Sequence, residues 1–371
     1  METDWTTIRG EFPALAHWTF LNTATFGQMP RCAAEAAARH FARRDEFACS
    51  DFSQWFDDAD RIRARIAELI HCAAGDIAFI QNASAAVSLL IGGLDWKTGD
   101  RIVTLEDEFP NHYYYPAQLR ARGVEFVETA WERFYDCLTP RTRLVAISTV
   151  NYATGFRAPL EELSETLRQR GILLYLDGTQ SVGALQFDVS RIRPDLFAVD
   201  AYKWLLSPNG ASFMYVSPEL RERLAPAVIG WRSDRNWRNH ENLTHGPLEF
   251  PAGAEKYEGG MLAFTMLYAM DAVIGMILDI GPERIERRVM ELAGQTRDVL
   301  RAAGAVLPAD RLPHYDSQVV TARFAGRDAP AIVRELQARR VLVAARHGNL
   351  RVSPHFYNDA ADLARLAEVL A

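Results

Sequence analysis

The sequence predicts an α/β fold: a large domain with a mostly parallel sheet flanked by helices, followed by a smaller α+β C-terminal domain. Three observations lead there. Short β-rich runs recur between helical patterns, the alternation that builds a parallel sheet through helical crossovers. The chain has 371 residues, 49% hydrophobic and 24% charged, more than one compact core usually organises, which favours two domains. The pattern also changes after Gly259 and Gly260, where a long apolar helix opens a second series of elements. The division is expected at residues 21–260 for the large domain, with 1–20 and 261–371 forming the small domain and a connecting helix.

Taken in order, Trp55, Ala59, Ile62, Ile66 and Leu69 or Ile70 fall at helical spacing with Asp57, Asp58, Arg61, Arg63 and Arg65 between them, giving one apolar stripe and one solvated face. That acidic cluster reads as helix surface, not as a metal site. Strands are expected at residues 77–80, 101–105, 144–150, 172–176, 196–199 and 212–216. Residues 160–170 form a helix stopped by Gly171, which accepts the left-handed conformation past a helix end. The most apolar stretch, residues 261–280, is interrupted by Asp271 and Asp279 and reads as a buried core helix instead of a membrane span. After Gly281-Pro282 come a helix over 283–302, a strand at 319–324, a helix at 329–339, strands at 341–344 and 350–353, and a closing helix from Asp359. No internal repeat or low-complexity tract interrupts this order.

Charge and missing motifs remove several function classes. The chain carries 41 basic and 48 acidic residues for a net charge of −7, which offers no field for a phosphate backbone or anionic lipid, so neither nucleic acid nor membrane is expected as a partner. Cys32, Cys49, Cys72 and Cys137 form no CxxC pair, and the amino end, with Glu2, Asp4 and Trp5, lacks the order of a secretory signal; both suit a cytoplasmic protein. GxGxxG and GxxxxGK[ST] are absent. His240 and His245 stand five apart and share no helix face, so they are read as a loop and not as a zinc site. Ser181 lacks the glycine two positions earlier that a nucleophile elbow requires.

One constellation carries chemistry. The run Ile172-Leu173-Leu174-Tyr175-Leu176 ends abruptly at Asp177, delivering a carboxylate at a strand's carboxyl end, where α/β proteins bind ligands. After the next strand, Lys203 appears in Asp200-Ala201-Tyr202-Lys203-Trp204, and apolar company pushes a lysine toward its neutral, nucleophilic form. An Asp and a Lys on neighbouring strand ends are what pyridoxal phosphate requires: an amine for its aldehyde and an anion that keeps its ring nitrogen protonated. Asn82, Ala83 and Ser84 open a small-residue helix whose free N–H groups suit the phosphate, although an ordinary helix cap explains Asn82 and Ser84 equally simply.

The run Tyr175-Leu176-Asp177-Gly178-Thr179-Gln180-Ser181-Val182-Gly183, with Asp200-Ala201-Tyr202-Lys203-Trp204 downstream, resembles the cofactor signature of the class V aminotransferase family. That family includes cysteine desulfurases, kynureninases, C–S lyases and isopenicillin N epimerase-like proteins. The likeness runs from Phe20-Leu21-Asn22-Thr23-Ala24 to Leu350-Arg351-Val352-Ser353-Pro354-His355-Phe356-Tyr357-Asn358. It implies a fold type I, PLP-dependent transferase-like architecture, pyridoxal 5'-phosphate as cofactor, a small-molecule amino-acid substrate and a homodimer with the site near the subunit interface. It further implies that Lys203 captures the cofactor aldehyde and moves the Cα proton, Asp177 pairs with the ring nitrogen and Gln180 with the phenolic oxygen. Phe109 would stack on the ring, without the capacity to relay protons. Ala83, Ser84 and Tyr202 would hold the phosphate, and Arg351 the substrate carboxylate, where bidentate geometry favours Arg. Asn22, Tyr152 and His112 fall in segments expected to approach substrate, with packing the duller reading of each; His355 reads as a polar residue lining the cleft.

Departures from the family pattern narrow the chemistry. Cysteine desulfurases need a thiol shortly before the carboxylate-binding arginine, and residues 341–351 contain none. A persulfide mechanism is therefore disfavoured, and C–S β-elimination from a cysteine derivative is expected first, with epimerisation or transamination as alternatives. Asp200 stands where relatives carry Ser or Thr near the phosphate, and a carboxylate there must turn away or find a donor. A non-catalytic relative of the fold is the reading from another class; Lys203, Asp177 and Arg351 together argue against it.

Overall fold

The computed structural model describes residues 3–241, 243 and 246–371; the spacing of His240 and His245 lies outside the described residues. Twelve strands are found among them: β1 (Thr19–Phe20), β2 (Ile77–Ile80), β3 (Arg101–Leu105), β4 (Glu125–Thr129), β5 (Thr142–Ser148), β6 (Leu173–Asp177), β7 (Leu196–Asp200), β8 (Ser212–Val216), β9 (Val320–Ala322), β10 (Val341–Leu342), β11 (Ala344–Arg346) and β12 (Asn349–Val352). Seven form the main sheet in the order β2-β8-β7-β6-β5-β3-β4. Strands β3 to β7 run parallel, and β8 alone opposes its neighbours β7 and β2. The order reverses between β3 and β5, which opens a crevice at their carboxyl ends.

The expected α/β architecture with a mostly parallel sheet is what the chain adopts. β4 was not expected: Glu125 and Glu128 interrupt its apolar run, because it is an edge strand paired only with β3 and needs one covered face. The single strand expected at 341–344 is divided. Its first half pairs parallel with β1, while the second turns into the hairpin with β12. The switch lets one stretch of chain join a two-stranded ribbon and the three-stranded sheet β11-β12-β9.

Apolar packing follows the pleat. Val103, Val145, Ile147, Leu174, Leu176 and Val199 face the helices Phe52–Ile70, Leu160–Gln169 and Phe264–Ile280. Their neighbours Ile102, Leu144, Ala146, Tyr175, Ala198 and Met214 face the helix Ala83–Gly93. A third cluster joins Leu21 to Leu292, Leu300, Val320, Ile332, Leu336, Leu350 and Leu366 around the three-stranded sheet. The helix Phe264–Ile280 is buried along much of its length, as expected, and no single helix among the described residues is long and apolar enough to cross a membrane.

One expectation is overturned. The polar face of the helix Phe52–Ile70 is not solvated throughout, because Asp58 and Arg63 are buried. Arg63 Nη2 lies 2.6 Å from Glu258 Oε1, and Arg232 Nη2 lies 2.9 Å from Oε2. Glu258 also accepts the Phe79 N–H at 2.9 Å, and Arg232 sits over Phe56 and Trp237 at 5.1 and 4.5 Å. A guanidinium brings its own flat apolar surface, so it can enter a core where a carboxylate pairs its charge.

Candidate active site

The loops leaving β3, β5, β6 and β7 meet at the crevice. Lys203 follows β7 on a loop closed by the Ser207 N–H to Ala201 carbonyl bond at 3.0 Å, with Leu206 held at a φ of +52°. That left-handed backbone, unfavourable for leucine, is retained because the surroundings fix the loop from three sides. Gly27 N–H donates to the Tyr202 carbonyl at 2.9 Å, and a Cβ on Gly27 would fall 1.9 Å from the Lys203 carbonyl oxygen. Trp204 Nε1 donates to Gln180 Oε1 at 2.7 Å. His355 Nε2 donates to the Trp204 carbonyl at 2.9 Å; its Nδ1 accepts the Phe356 N–H, which fixes the neutral tautomer.

Lys203 is only 7% exposed, and among the described residues its Nζ has no hydrogen-bond acceptor. Burial lowers its amine to about 8, against the opposing charges of Asp177 and Asp200. Nζ lies 5.4 Å from the centre of the Phe109 ring and 5.5 Å from that of Tyr202. Asp177, 5% exposed, accepts the Thr179 N–H on Oδ1 at 2.9 Å, while Oδ2 has no protein donor among the described residues. A buried carboxylate with one oxygen unfilled, beside an amine with no acceptor, is an arrangement set for an external group carrying an aldehyde and a protonated nitrogen.

The substrate side comes from different elements. Arg351, on β12, is 1% exposed. Its Nη1 donates to the Tyr152 carbonyl at 2.6 Å, and its Nη2 to Asn22 Oδ1 at 3.4 Å and to Thr25 Oγ1. No carboxylate pairs with it among the described residues, its Nε has no partner, and burial with the nearby Arg346 lowers its guanidinium to about 9. A buried cation without an anion is costly unless a ligand supplies one. Tyr152 stacks edge-on against Phe109 at 5.3 Å, and its hydroxyl lies 3.3 Å from His347 Nε2.

The structure thus gathers Lys203, Asp177, Gln180, Tyr202, Phe109, Arg351, Asn22 and Tyr152 in one region, with three expectations revised. His112 does not reach the substrate side: it is fully buried, packed 5.6 Å from the Tyr175 ring, with Nδ1 3.4 Å from Glu108 Oε2. His355 is likewise a fully buried tether of the Lys203 loop and not a cleft wall. Gln180 is largely committed, donating from Nε2 to the Ala24 carbonyl at 3.0 Å while accepting from Trp204. Ser84 Oγ donates to Asn111 Oδ1 at 2.9 Å. The Ala83 N–H, expected to face a phosphate, donates instead to Asp200 Oδ1 at 2.8 Å.

Sequence reasoning missed Thr25, Glu108 and Arg346. Glu108 accepts the Ser148 N–H and hydroxyl, each at 2.6 Å, and so sets the turn that carries Phe109. Arg346 donates to Thr25 Oγ1 at 3.4 Å and to the Ala345 carbonyl at 2.8 Å, with no carboxylate partner among the described residues. Its signal was available: two arginines flank His347-Gly348, a pair with φ of +47° and +76° suited to a tight hairpin turn.

Comparison with known proteins shows the family and the fold. The model of the family described as aminotransferase class-V matches residues 30–366. An isopenicillin N epimerase of Streptomyces clavuligerus is 28% identical over 391 residues, covering 99% of this chain and 98% of its own. A probable cysteine desulfurase of Methanothermobacter thermautotrophicus is 24% identical, covering 98% and 96%. Among solved structures, the cystine C–S lyase C-DES in complex with its product cysteine persulfide superposes with a TM-score of 0.88 at 22% identity, covering 97% of this chain and 98% of that one.

Proposed function

Since the chain belongs to the aminotransferase class-V family, whose cofactor is pyridoxal phosphate, we propose that it acts on an amino acid by removing the Cα proton with Lys203, and that its reaction is C–S β-elimination from a cysteine derivative. The observation that carries the reading is the convergence of a buried lysine amine without an acceptor, a half-filled buried carboxylate and a buried arginine without a carboxylate partner, each among the described residues.

When bound, the cofactor supplies an electron sink for the pair left on Cα. Asp177 Oδ2 is the acceptor free to hold a protonated ring nitrogen. Phe109 covers the space facing Lys203 Nζ and keeps water from it. Arg351 binds the substrate carboxylate, with Arg346 adding a second cation beside it, so Cα is brought to the amine with its carboxylate neutralised. Lys203 then moves the proton at Cα, its neutral form favoured by burial. Tyr202, with Ser84 at the opening of the helix Ala83–Gly93, flanks the phosphate end.

The outcome rests on what leaves the β-carbon. Of the four cysteines, Cys32, Cys49, Cys72 and Cys137, none lies on the β11–β12 hairpin, so the chain has no thiol there to accept sulfur and a free thiol or persulfide would depart as product. Epimerisation is the second reading. It is favoured by the relative named isopenicillin N epimerase and by the Tyr152 hydroxyl beside His347, a proton-carrying pair next to Phe109. The same reading includes a homodimer with its site near the subunit interface, which the exposed Val228, Ile229, Trp231 and Met261 beside Gly259 and Gly260 support, and a division at residues 21–260 against 1–20 with 261–371.

The test is incubation of the cofactor-loaded protein with cysteine conjugates and with alanine in deuterated water, scoring pyruvate, thiol and Cα exchange separately. Pyruvate and thiol in equal amounts from a conjugate are expected. Exchange without pyruvate would replace elimination by epimerisation, and pyruvate from alanine only with an amino acceptor would indicate transamination. No exchange from any amino acid would overturn the whole reading.

A further inference from the structure

Asp200 ends β7 three residues before Lys203, and its carboxylate is already bonded within the cofactor site. Oδ1 accepts the Ala83 N–H at 2.8 Å and the Ser212 hydroxyl at 3.1 Å. The backbone on either side is held as well: the Asp200 N–H donates to Thr179 Oγ1 at 3.0 Å, and Asp200 pairs with Ser212 across the β7–β8 ladder. The carboxylate therefore sits on the positive end of the helix Ala83–Gly93, on the very N–H that the cofactor reading gives to a phosphate. A second oxyanion brought to these donors must share them with a like charge.

We propose that Asp200 is a built-in anion that competes with the cofactor's phosphate for the opening of the helix Ala83–Gly93, so that phosphate-bearing cofactor binds tightly only when the Asp200 carboxyl is neutral or released from Ala83. The inference rests on the cofactor reading above and adds to it a residue that sets cofactor affinity.

The charges facing Asp200 give the direction of the effect. Asp177 lies on the neighbouring strand β6, Lys203 and Tyr202 lie on its own loop, and Ala83 and Ser212 face it as hydrogen-bond donors. Burial first, then the Asp177 charge, raises the Asp200 carboxyl above its ordinary value, while Ala83, Ser212 and Lys203 oppose the rise. Ionisation of Asp200 is what competes with the phosphate, so affinity falls as pH rises through its pKa.

The test measures equilibrium binding by tryptophan fluorescence quenching in the cofactor-stripped protein, with pyridoxal phosphate and with pyridoxal, which has the same aldehyde and ring but no phosphate. Asp200→Asn keeps an acceptor for Ala83 and removes the charge; Asp200→Ser replaces it with a short hydroxyl. Both variants are expected to bind pyridoxal phosphate about tenfold more tightly than wild type at neutral pH, and to lose the part of the pH dependence that wild type shows beyond the phosphate's own titration. Because the Asp200 charge also holds the Lys203 amine up, a gain for pyridoxal is expected too, but a smaller one than for pyridoxal phosphate. Equal pyridoxal phosphate affinity and equal pH slopes in wild type and Asp200→Asn would overturn the proposal while leaving the cofactor reading intact. So would a gain shared equally by pyridoxal, which places the effect away from the phosphate. Failure of wild type and both variants to bind either aldehyde would overturn the cofactor reading and this inference with it.

Discussion

Lys203 reactivity is measurable before any amino acid is added. With its amine lowered from 10.5 to about 8, about one molecule in ten carries it neutral at pH 7, against about one in three thousand for an ordinary lysine. That difference corresponds to about 3 kcal/mol of displaced protonation. The chain contains three lysines, Lys97, Lys203 and Lys256, so covalent labelling can be assigned to each by peptide mass. Cofactor-free protein would be exposed briefly to pyridoxal and quenched with borohydride across pH, then digested. Labelling of Lys203 should rise about tenfold per pH unit and level off near pH 8, whereas a lysine in a short reference peptide should keep rising toward about pH 10. Because the Asp177 charge holds the Lys203 pKa up against burial, Asp177→Asn should move the break to lower pH. A Lys203 profile that tracks the reference peptide would refute the assignment of a proton-poor buried amine, and an unmoved break in Asp177→Asn would refute the coupling between the two.

His355 is held neutral, lowered to about 3 by burial, whereas the unfolded imidazole titrates near about 6.5. Between those values the unfolded state takes up the proton first, so stability should fall with falling pH by up to about 1.4 kcal/mol per unit; urea midpoints on the acid side should show a shallower fall in His355→Gln, and parallel curves would count against it. Replacing Glu258 by Gln leaves Arg232 buried without its counter-charge and Arg63 with Asp60 alone, and a loss of about 3–5 kcal/mol in denaturant unfolding is expected. A loss below about 1 kcal/mol would mean the triad is relaxed by water.

Most of the sheet was legible because its strands are covered on both faces and therefore read as unbroken apolar runs, as in Leu173–Asp177 and Leu196–Asp200. Edge strand β4 escaped because its exposed glutamates weaken that pattern. At the site, Asp177 and Lys203 were legible because a charge that abruptly ends or interrupts a buried run has few structural uses. His112 was misplaced because spacing along a helix gives the turn but not which side of the helix meets the crevice. The commitment of Ala83 to Asp200 was beyond the sequence, since it joins residues 117 positions apart through the strand pairing that brings β2, β7 and β8 together. Arg63 was misread for a related reason: its partner Glu258 lies 195 positions away, and no local pattern distinguishes a paired buried arginine from a surface one.

The bridge between Asn22 and Ser353 and the ribbon joining β1 to β10 put Asn22, Thr25, Arg346 and Arg351 on one stitched unit, apart from the strands that present Asp177 and Lys203. Under the proposed reading, recognition and reactivity would be housed on separate supports that meet at the crevice. On that reading, a lineage built on this plan would exchange its clientele by editing a hairpin of a few residues, leaving untouched the setting that buries one amine.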